Sequence, residues 1–194
     1  NMPASIKLYK TTTSVTGRSI NAWYAVADMS AGDLELRTIK TSSATKPSVA
    51  AKNLGGVQIA INGGFFGGGQ SYSYVMDQGM ETATGVKAVT RSYYGDANRN
   101  SVSRSFNITR GAFGVNKNQK PSVKWLYGSY MSAYDAPLPA YNSGPVLQPT
   151  STYPAAKHTW DVYSAIGGGP IILHDGHLCI DYLTVKATGT GGRY

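Results

Sequence analysis

The residues best suited to chemistry lie in two glycine clusters, "INGGFFGGG" (61–69) and "AIGGGPIIL" (165–173), each beside an apolar run. Glycine loops that follow strands expose backbone amides, and such amides can bind the oxygens of a phosphate group. The alternative is that these glycines only form tight turns or let strands pack closely. The candidate ligand-binding residues in the two clusters are Asn62, Gly63, Gly64, Phe66, Gly168 and Gly169.

Three polar residues are the candidates for catalysis. Arg110 precedes "GAFGV" and is placed to clamp a phosphate, although a solvated charge at a strand end would look the same. Asp77 follows an apolar stretch, which could raise its pKa and suit it to general acid–base work. Asn62 could donate or accept a hydrogen bond at a ligand, or it could simply hold a turn.

The phenylalanines of the first cluster have two interpretations. Phe65 and Phe66 could be core anchors, or one of them could stack against a sugar ring. A binding module would use such aromatic faces, and the 14 tyrosines of the chain permit that hypothesis without requiring it.

Several common catalytic motifs do not occur in the sequence. It contains no phosphate loop ending in Gly-Lys-Ser/Thr, no Gly-x-Gly-x-x-Gly and no Gly-x-Ser-x-Gly elbow. His174, His177 and Cys179 would share one face of a hairpin and offer three zinc ligands, but the Asp-Gly turn between the histidines explains their spacing alone. We therefore predict no metal site, and a divalent cation requirement stays open.

Composition narrows the class of partner. The net charge of +8 comes mostly from having only ten acidic residues, and the basic residues form no dense cluster. We therefore expect an anionic small ligand such as a phosphate, and no nucleic acid. No apolar run is long enough to span a membrane.

Local patterns predict a β-rich α+β domain over residues 1–194, with a mixed twisted sheet and few short helices. A helix is expected after Thr45 as N-cap, with Pro47 in its first turn and Gly55 at its end. The polar stretch 92–105 is expected to be a surface loop. The predicted strands and turns are strands at 22–30, 34–40 and 57–61, a hairpin turning at 116–120, and a second hairpin turning at Asp175–Gly176.

The ordered set "AINGGFF" (60–66), "TRGAFGV" (109–115) and "AIGGGPIILHDG" (165–176) resembles the phosphodiester glycosidase family, from about residue 20 to the end of the chain. The resemblance implies a secreted, periplasmic or cell-surface enzyme that hydrolyses a sugar-1-phosphodiester. It implies that the glycines line a sugar–phosphate cleft with Asn62 at its floor. Arg193, near the last residue, would face the same cleft.

The sequence departs from the family pattern in its last part. The Arg-Thr-Ala-Ile-Gly strand and the Asp-Gly-Gly-Gly-Ser element of the family do not occur in residues 1–194. We therefore expect an incomplete domain corresponding to the N-terminal two-thirds, completed by further chain or by a second polypeptide, and inactive alone. The competing hypotheses are a non-catalytic carbohydrate- or phosphosugar-binding module and a structural surface domain without a small-molecule site.

Overall fold

The computed structural model of the protein describes residues 2–14, 16–94, 101–138 and 157–179. Within these residues there is one α-helix, α1 (Pro47–Leu54), and a 3-10 turn at Met29–Ala31. The strands in the same ranges are β1 (Ile6–Thr11), β2 (Ala22–Ala27), β3 (Phe66–Gly67), β4 (Gln70–Ser71), β5 (Val75–Asp77), β6 (Met80–Ala83), β7 (Ala88–Tyr94), β8 (Ser101–Asn107), β9 (Arg110–Val115), β10 (Pro121–Tyr127), β11 (Ser129–Tyr134), β12 (Ser164–Gly167), β13 (Leu173–His174) and β14 (His177–Leu178).

A curled six-stranded sheet is the centre of the fold, in the order β11-β10-β9-β12-β5-β6. Every pair of neighbouring strands in it is antiparallel. The β9–β10 pair illustrates how a short turn produces antiparallel neighbours. In its turn the Asn116 side chain accepts hydrogen bonds from the backbone N–H groups of Asn118 (3.0 Å) and Lys120 (3.1 Å). Such a short turn returns the chain directly beside the strand that it has just left.

The expected α+β class with a mixed sheet is wrong, because the described structure is mostly β and its central sheet is antiparallel. A parallel pair needs a crossover connection of a dozen residues or more, usually helical, whereas hairpins need only a few residues. Three neighbouring pairs in the sheet are hairpins of consecutive strands, so none of them needs a helical crossover: β5–β6, β9–β10 and β10–β11.

The main core lies on one face of this sheet. The strand registers place Met76 opposite Ala165 and Leu126 opposite Ala133, so these apolar side chains point the same way. Trp160 closes the cluster and donates its indole N–H to the Ser122 hydroxyl at 2.8 Å. The buried residues of the cluster are Tyr74, Met76, Ala112, Leu126, Ala133, Trp160 and Ala165.

Three sequence predictions about local structure are confirmed. The α1 helix begins at Pro47 and ends at Leu54, with Gly55 as its C-cap at a φ of +73° that suits glycine. The hairpin turn near Asn116 forms as expected, and so does the turn at Asp175–Gly176, although its strands are only two residues long. The predicted N-cap was wrong: Lys46 holds that position, and the Thr45 hydroxyl donates to the Ser43 carbonyl instead.

Three other predictions were wrong. Residues 34–40 form no strand within the described structure, although 22–27 do. Residues 57–61, expected as a buried strand, also form none there, and the Ile61 side chain is 84% exposed. The polar stretch 92–105 instead contains parts of β7 and β8, which pair with each other over seven positions.

Candidate functional site

The two glycine clusters, residues 61–69 and 165–173, meet beside the first residues of β9. The Gly111 N–H donates to the Gly169 carbonyl at 2.9 Å, and the Gly168 N–H donates to the Gly111 carbonyl at 2.8 Å. From the other side, Gly64 approaches the Gly167 carbonyl so closely that a Cβ would collide with it. We call this meeting point of residues 63–65, 110–111 and 167–169 the glycine junction.

Close packing explains most of the glycines at the junction. A Cβ at Gly63 would collide with the Ile166 side chain, and one at Gly111 would lie 2.9 Å from the Gly169 carbonyl oxygen. Gly64 and Gly111 need glycine because they meet backbone carbonyls, whereas the contact at Gly63 is with the end of the Ile166 side chain, which can move aside. Gly168 differs, because no atom lies within 4 Å of the position that its Cβ would take. The packing interpretation of the clusters therefore accounts for Gly64 and Gly111, but it leaves Gly168 without a steric reason.

Arg110 provides the positive charge of the junction. Its guanidinium carbon lies 5.6 Å from the centre of the Phe65 ring, within the range of a cation–π interaction. The Phe65 backbone N–H donates to the buried Ser73 hydroxyl at 2.8 Å, and this bond fixes the loop that carries the ring. Phe65 is 57% exposed, so its ring is partly open to solvent.

Backbone amides contribute less to the junction than the sequence suggested. The N–H groups of Gly111 and Gly168 are used by carbonyls across the junction, and that of Phe65 is used by Ser73. These three amides are therefore not available to a phosphate. Arg110 is the charged donor that an anion bound here would meet.

Asp77 lies in a structural ion pair. The Arg37 guanidinium donates through Nε to Asp77 Oδ1 (3.0 Å) and through Nη2 to Oδ2 (2.6 Å), and the Thr38 N–H donates to Oδ1 at 3.0 Å. Burial would raise the pKa of Asp77, but the bonds from Arg37 and Thr38 outweigh burial and lower it. This is opposite to the shift that a general acid needs. The contact between Arg37 and Asp77 also explains how residues 34–40 are held without a strand ladder.

The other predicted site residues have simpler positions. Asn62 and Phe66 are exposed on the surface next to the junction, and Phe66 is 68% exposed. Arg193 lies outside the described residues, so its predicted place in a cleft stays a prediction. The role of Asn62 at a cleft floor also stays a prediction, since the small cavity of about 10 Å³ beside Arg110 and Gly111 is not lined by Asn62.

A larger groove, of about 360 Å³, lies between the β10–β11 hairpin and the β13–β14 hairpin. His174 and His177 face each other across the Asp-Gly turn and line it, as does Cys179. On the opposite wall Lys124 Nζ donates to Asp135 Oδ1 at 2.5 Å, and this bond lowers the pKa of Asp135. Among the described residues no group of three or more His, Cys, Asp or Glu side chains could hold a metal ion.

Sequence reasoning missed Arg37, Ser73 and Tyr74. Arg37 lies 40 positions before Asp77, and no local spacing connects the two. Ser73 and Tyr74 belong to a polar, aromatic stretch, "SYSYV", whose pattern fits an ordinary strand. Their relation to the glycines depends on the pairing of β12 with β5, which is a long-range contact.

No helix in the described ranges combines the length and the apolar character that crossing a bilayer requires. Comparison with protein-family models, with curated proteins and with solved structures finds no match. The resemblance to the phosphodiester glycosidase family therefore depends on the quoted motifs alone, and it enters the functional argument as a hypothesis.

Proposed function

We propose that this protein binds a sugar-1-phosphodiester at the glycine junction and takes part in its hydrolysis. The observation that carries the proposal is the convergence of the three motifs of the resemblance. Arg110 directly precedes Gly111, Gly111 is hydrogen-bonded to both Gly168 and Gly169, and Phe65 lies beside the Arg110 guanidinium. Motifs that are far apart in the sequence thus contribute to one place on the surface.

The chemistry of the junction suits a sugar phosphate in two respects. A guanidinium binds phosphate oxygens through paired N–H donors, and this recognition is charge-assisted and directional. The partly exposed Phe65 ring offers an apolar face next to that charge, and sugar rings pack well against such faces. A net charge of +8 adds a general attraction for anionic ligands.

Hydrolysis would add water to the anomeric carbon, break its bond to the phosphate oxygen and leave a phosphate monoester. The leaving phosphate carries the developing negative charge, and Arg110 is the group at the junction that would stabilise it. Asp77 is not assigned the acid–base role, because its carboxylate is bound by Arg37 and its pKa is lowered. The proposal leaves that role to a group outside the described residues.

A non-catalytic phosphosugar-binding module is the second candidate. The state of Asp77 favours it, since the residue predicted for acid–base work is held as an ionised partner of Arg37. Both candidates place the ligand beside Arg110. They differ in turnover: the enzyme releases free sugar, whereas the binding module retains the ligand unchanged.

A second polypeptide belongs to the proposal as a partner. Exposed apolar side chains support it, since Ile61 is 84% exposed and Phe66 68% exposed next to the junction. Contiguous exposed apolar surface commonly marks a protein interface. Secretion or a periplasmic or cell-surface location is proposed from the resemblance only. Co-purification of a second chain, read by intact mass, would support the partner, and a monodisperse single chain with full activity would contradict it.

The test uses an aryl N-acetylglucosamine-1-phosphodiester for turnover and N-acetylglucosamine 1-phosphate for binding. The wild-type chain is compared with Arg110→Ala and with the matched control Lys117→Ala, which removes an exposed cation near Tyr163. We expect Arg110→Ala to weaken binding at least tenfold and Lys117→Ala to leave it within twofold. Equal weakening by both variants would reduce the effect to general charge, and no binding by wild type would contradict both candidate functions.

A further inference from the structure

Asn62 and Gly63 form the only Asn-Gly pair of the sequence, and this pair leads directly into the glycine junction. Both residues are exposed, and neither belongs to a helix or a strand of the described structure. In that part of the chain no hydrogen bond holds the Asn62 side chain or the Gly63 backbone N–H. The side-chain amide of Asn62 and the backbone nitrogen of Gly63 are therefore neighbours that no other bond occupies.

An exposed Asn-Gly pair can deamidate without an enzyme. The Gly63 nitrogen attacks the side-chain carbonyl carbon of Asn62, and the side-chain nitrogen takes up the Gly63 proton and leaves as ammonia. The product is a cyclic succinimide, which water then opens at one of its two carbonyl groups to give aspartate or isoaspartate. Glycine favours the first step, because it has no Cβ to shield its nitrogen and its backbone has the most conformational freedom.

We propose that Asn62 is a site of spontaneous deamidation, through which the glycine junction acquires a negative charge. The reaction replaces a neutral amide by a carboxylate one residue before Gly63, where the junction begins. A carboxylate at 62 opposes the attraction of the Arg110 guanidinium for an anion, since like charges repel. The modification itself needs no ligand, and only this effect on binding rests on the proposed function.

Isoaspartate would also disturb the packing of the junction. In isoaspartate the main chain runs through the former side chain and is longer by a methylene group. Gly64 follows two residues later, at a point where even an added Cβ would collide with the Gly167 carbonyl and the Ser73 side chain. Because so close an approach leaves no room for a displaced backbone, isoaspartate at 62 weakens the contact between the two glycine clusters.

Asn116 provides a control within the same chain. Its side chain accepts hydrogen bonds from the Asn118 and Lys120 N–H groups, and its amide nitrogen donates to Asp161 Oδ2 at 3.2 Å. These bonds occupy the amide, and the next residue is Lys117 rather than a glycine. We therefore expect Asn116 to keep its amide under conditions in which Asn62 loses it.

The test incubates the full chain in mildly alkaline buffer and follows it by peptide mapping with mass spectrometry, with a peptide of residues 58–68 as the unfolded reference. We expect aspartate and isoaspartate at 62 to form at least about tenfold faster than at Asn116, whose amide is bound within its turn. Asn62→Asp supplies the charge without the longer backbone, and Asn62→Gln is its neutral control. Asn62→Asp should bind N-acetylglucosamine 1-phosphate about threefold more weakly than Asn62→Gln.

A full chain that keeps its Asn62 amide while the peptide loses it would overturn the inference, because the fold would then protect the pair. Equal rates at Asn62 and Asn116 would overturn it as well. Equal binding by Asn62→Asp and Asn62→Gln would contradict the effect assigned to the new charge. Deamidation at 62 in a chain that binds no sugar phosphate would support the modification and contradict only the proposed function, so the two failures are distinguishable.

Discussion

Replacing Asp77 with asparagine tests whether this carboxylate is a structural ion partner. The side chain receives charge-assisted hydrogen bonds from Arg37 and one from the Thr38 backbone, with side-chain exposures of 30% for Arg37 and 19% for Asp77. Exposed ion pairs contribute less than about 1 kcal/mol and breaking a buried one costs about 3–5 kcal/mol. This partly buried pair lies between those limits, so we expect Asp77→Asn to lower the free energy of unfolding by about 2 kcal/mol.

The same variant has a defined pH dependence. The folded-state pKa of Asp77 is lowered below its ordinary value of 3.8, so the carboxylate stabilises the fold above that ordinary value. As pH falls through the lowered folded-state pKa, the carboxylate becomes protonated and this stabilisation is lost. The difference in stability between wild type and Asp77→Asn should therefore be full at pH 7 and shrink towards zero in strong acid.

Thermal unfolding followed by circular dichroism measures both effects. For a chain of this length, about 2 kcal/mol corresponds to a fall of about 4–8 °C in melting temperature at pH 7. Asp175→Asn is the control, because the Asp175 side chain is 86% exposed and its contact with His174 Nδ1 is long, at 3.8 Å. A variant as stable as wild type at pH 7, or a stability difference that does not change with pH, would refute the ion-pair reasoning.

Three further predictions follow from the same structure. Gly64→Ala should lower the melting temperature by several degrees, because the new Cβ would collide with the Gly167 carbonyl. Gly168→Ala should change the melting temperature by less than about 1 °C, and equal effects of the two variants would contradict the packing account. Trp160→Phe should lower the free energy of unfolding by about 1–3 kcal/mol, because the hydrogen bond to Ser122 is lost and the smaller ring leaves a space in the core. An unchanged midpoint in urea unfolding would contradict the role of Trp160 in the core. Arg37→Ala should destabilise the fold at least as much as Asp77→Asn, because it leaves a partly buried carboxylate unpaired, and a smaller loss in thermal unfolding would contradict the pairing.

Local signals in the sequence predicted the features that depend on a few adjacent residues. Asn116 and its neighbours form a turn through bonds within five residues, and Pro47 and Gly55 mark the ends of a helix that forms as expected. The Asp175–Gly176 turn has positive φ at both residues, which is what an Asp-Gly pair favours. These features require no knowledge of the rest of the chain.

Long-range contacts decided what local patterns could not. Residues 57–61 have the composition of a core strand, yet they pair with no strand in the described structure, and the six-stranded sheet forms without them. Residues 34–40 alternate like a strand but are held by the Asp77 carboxylate and by the Thr38 hydroxyl, which donates to the Met76 carbonyl at 2.5 Å. Neither outcome follows from propensity.

The sequence indicated some of the residues that meet at the glycine junction, and their role in binding stays a prediction. Glycine composition indicated two loops with a close backbone approach, and the structure shows that approach directly. Arg110 was selected from its place before "GAFGV", and it lies at the junction. What the sequence did not indicate is that three junction amides are already used within the protein, because each of their partners lies on a distant segment.

The most direct test of the central claim is a titration of the full chain with N-acetylglucosamine 1-phosphate, followed by NMR with backbone amide assignments. The account predicts saturable shifts at Phe65, Arg110, Gly168 and Gly169, and their loss in Arg110→Ala while the rest of the spectrum is retained. Saturable shifts confined to the groove near His174 and His177, or no shifts at all, would contradict the assignment of the ligand to the glycine junction.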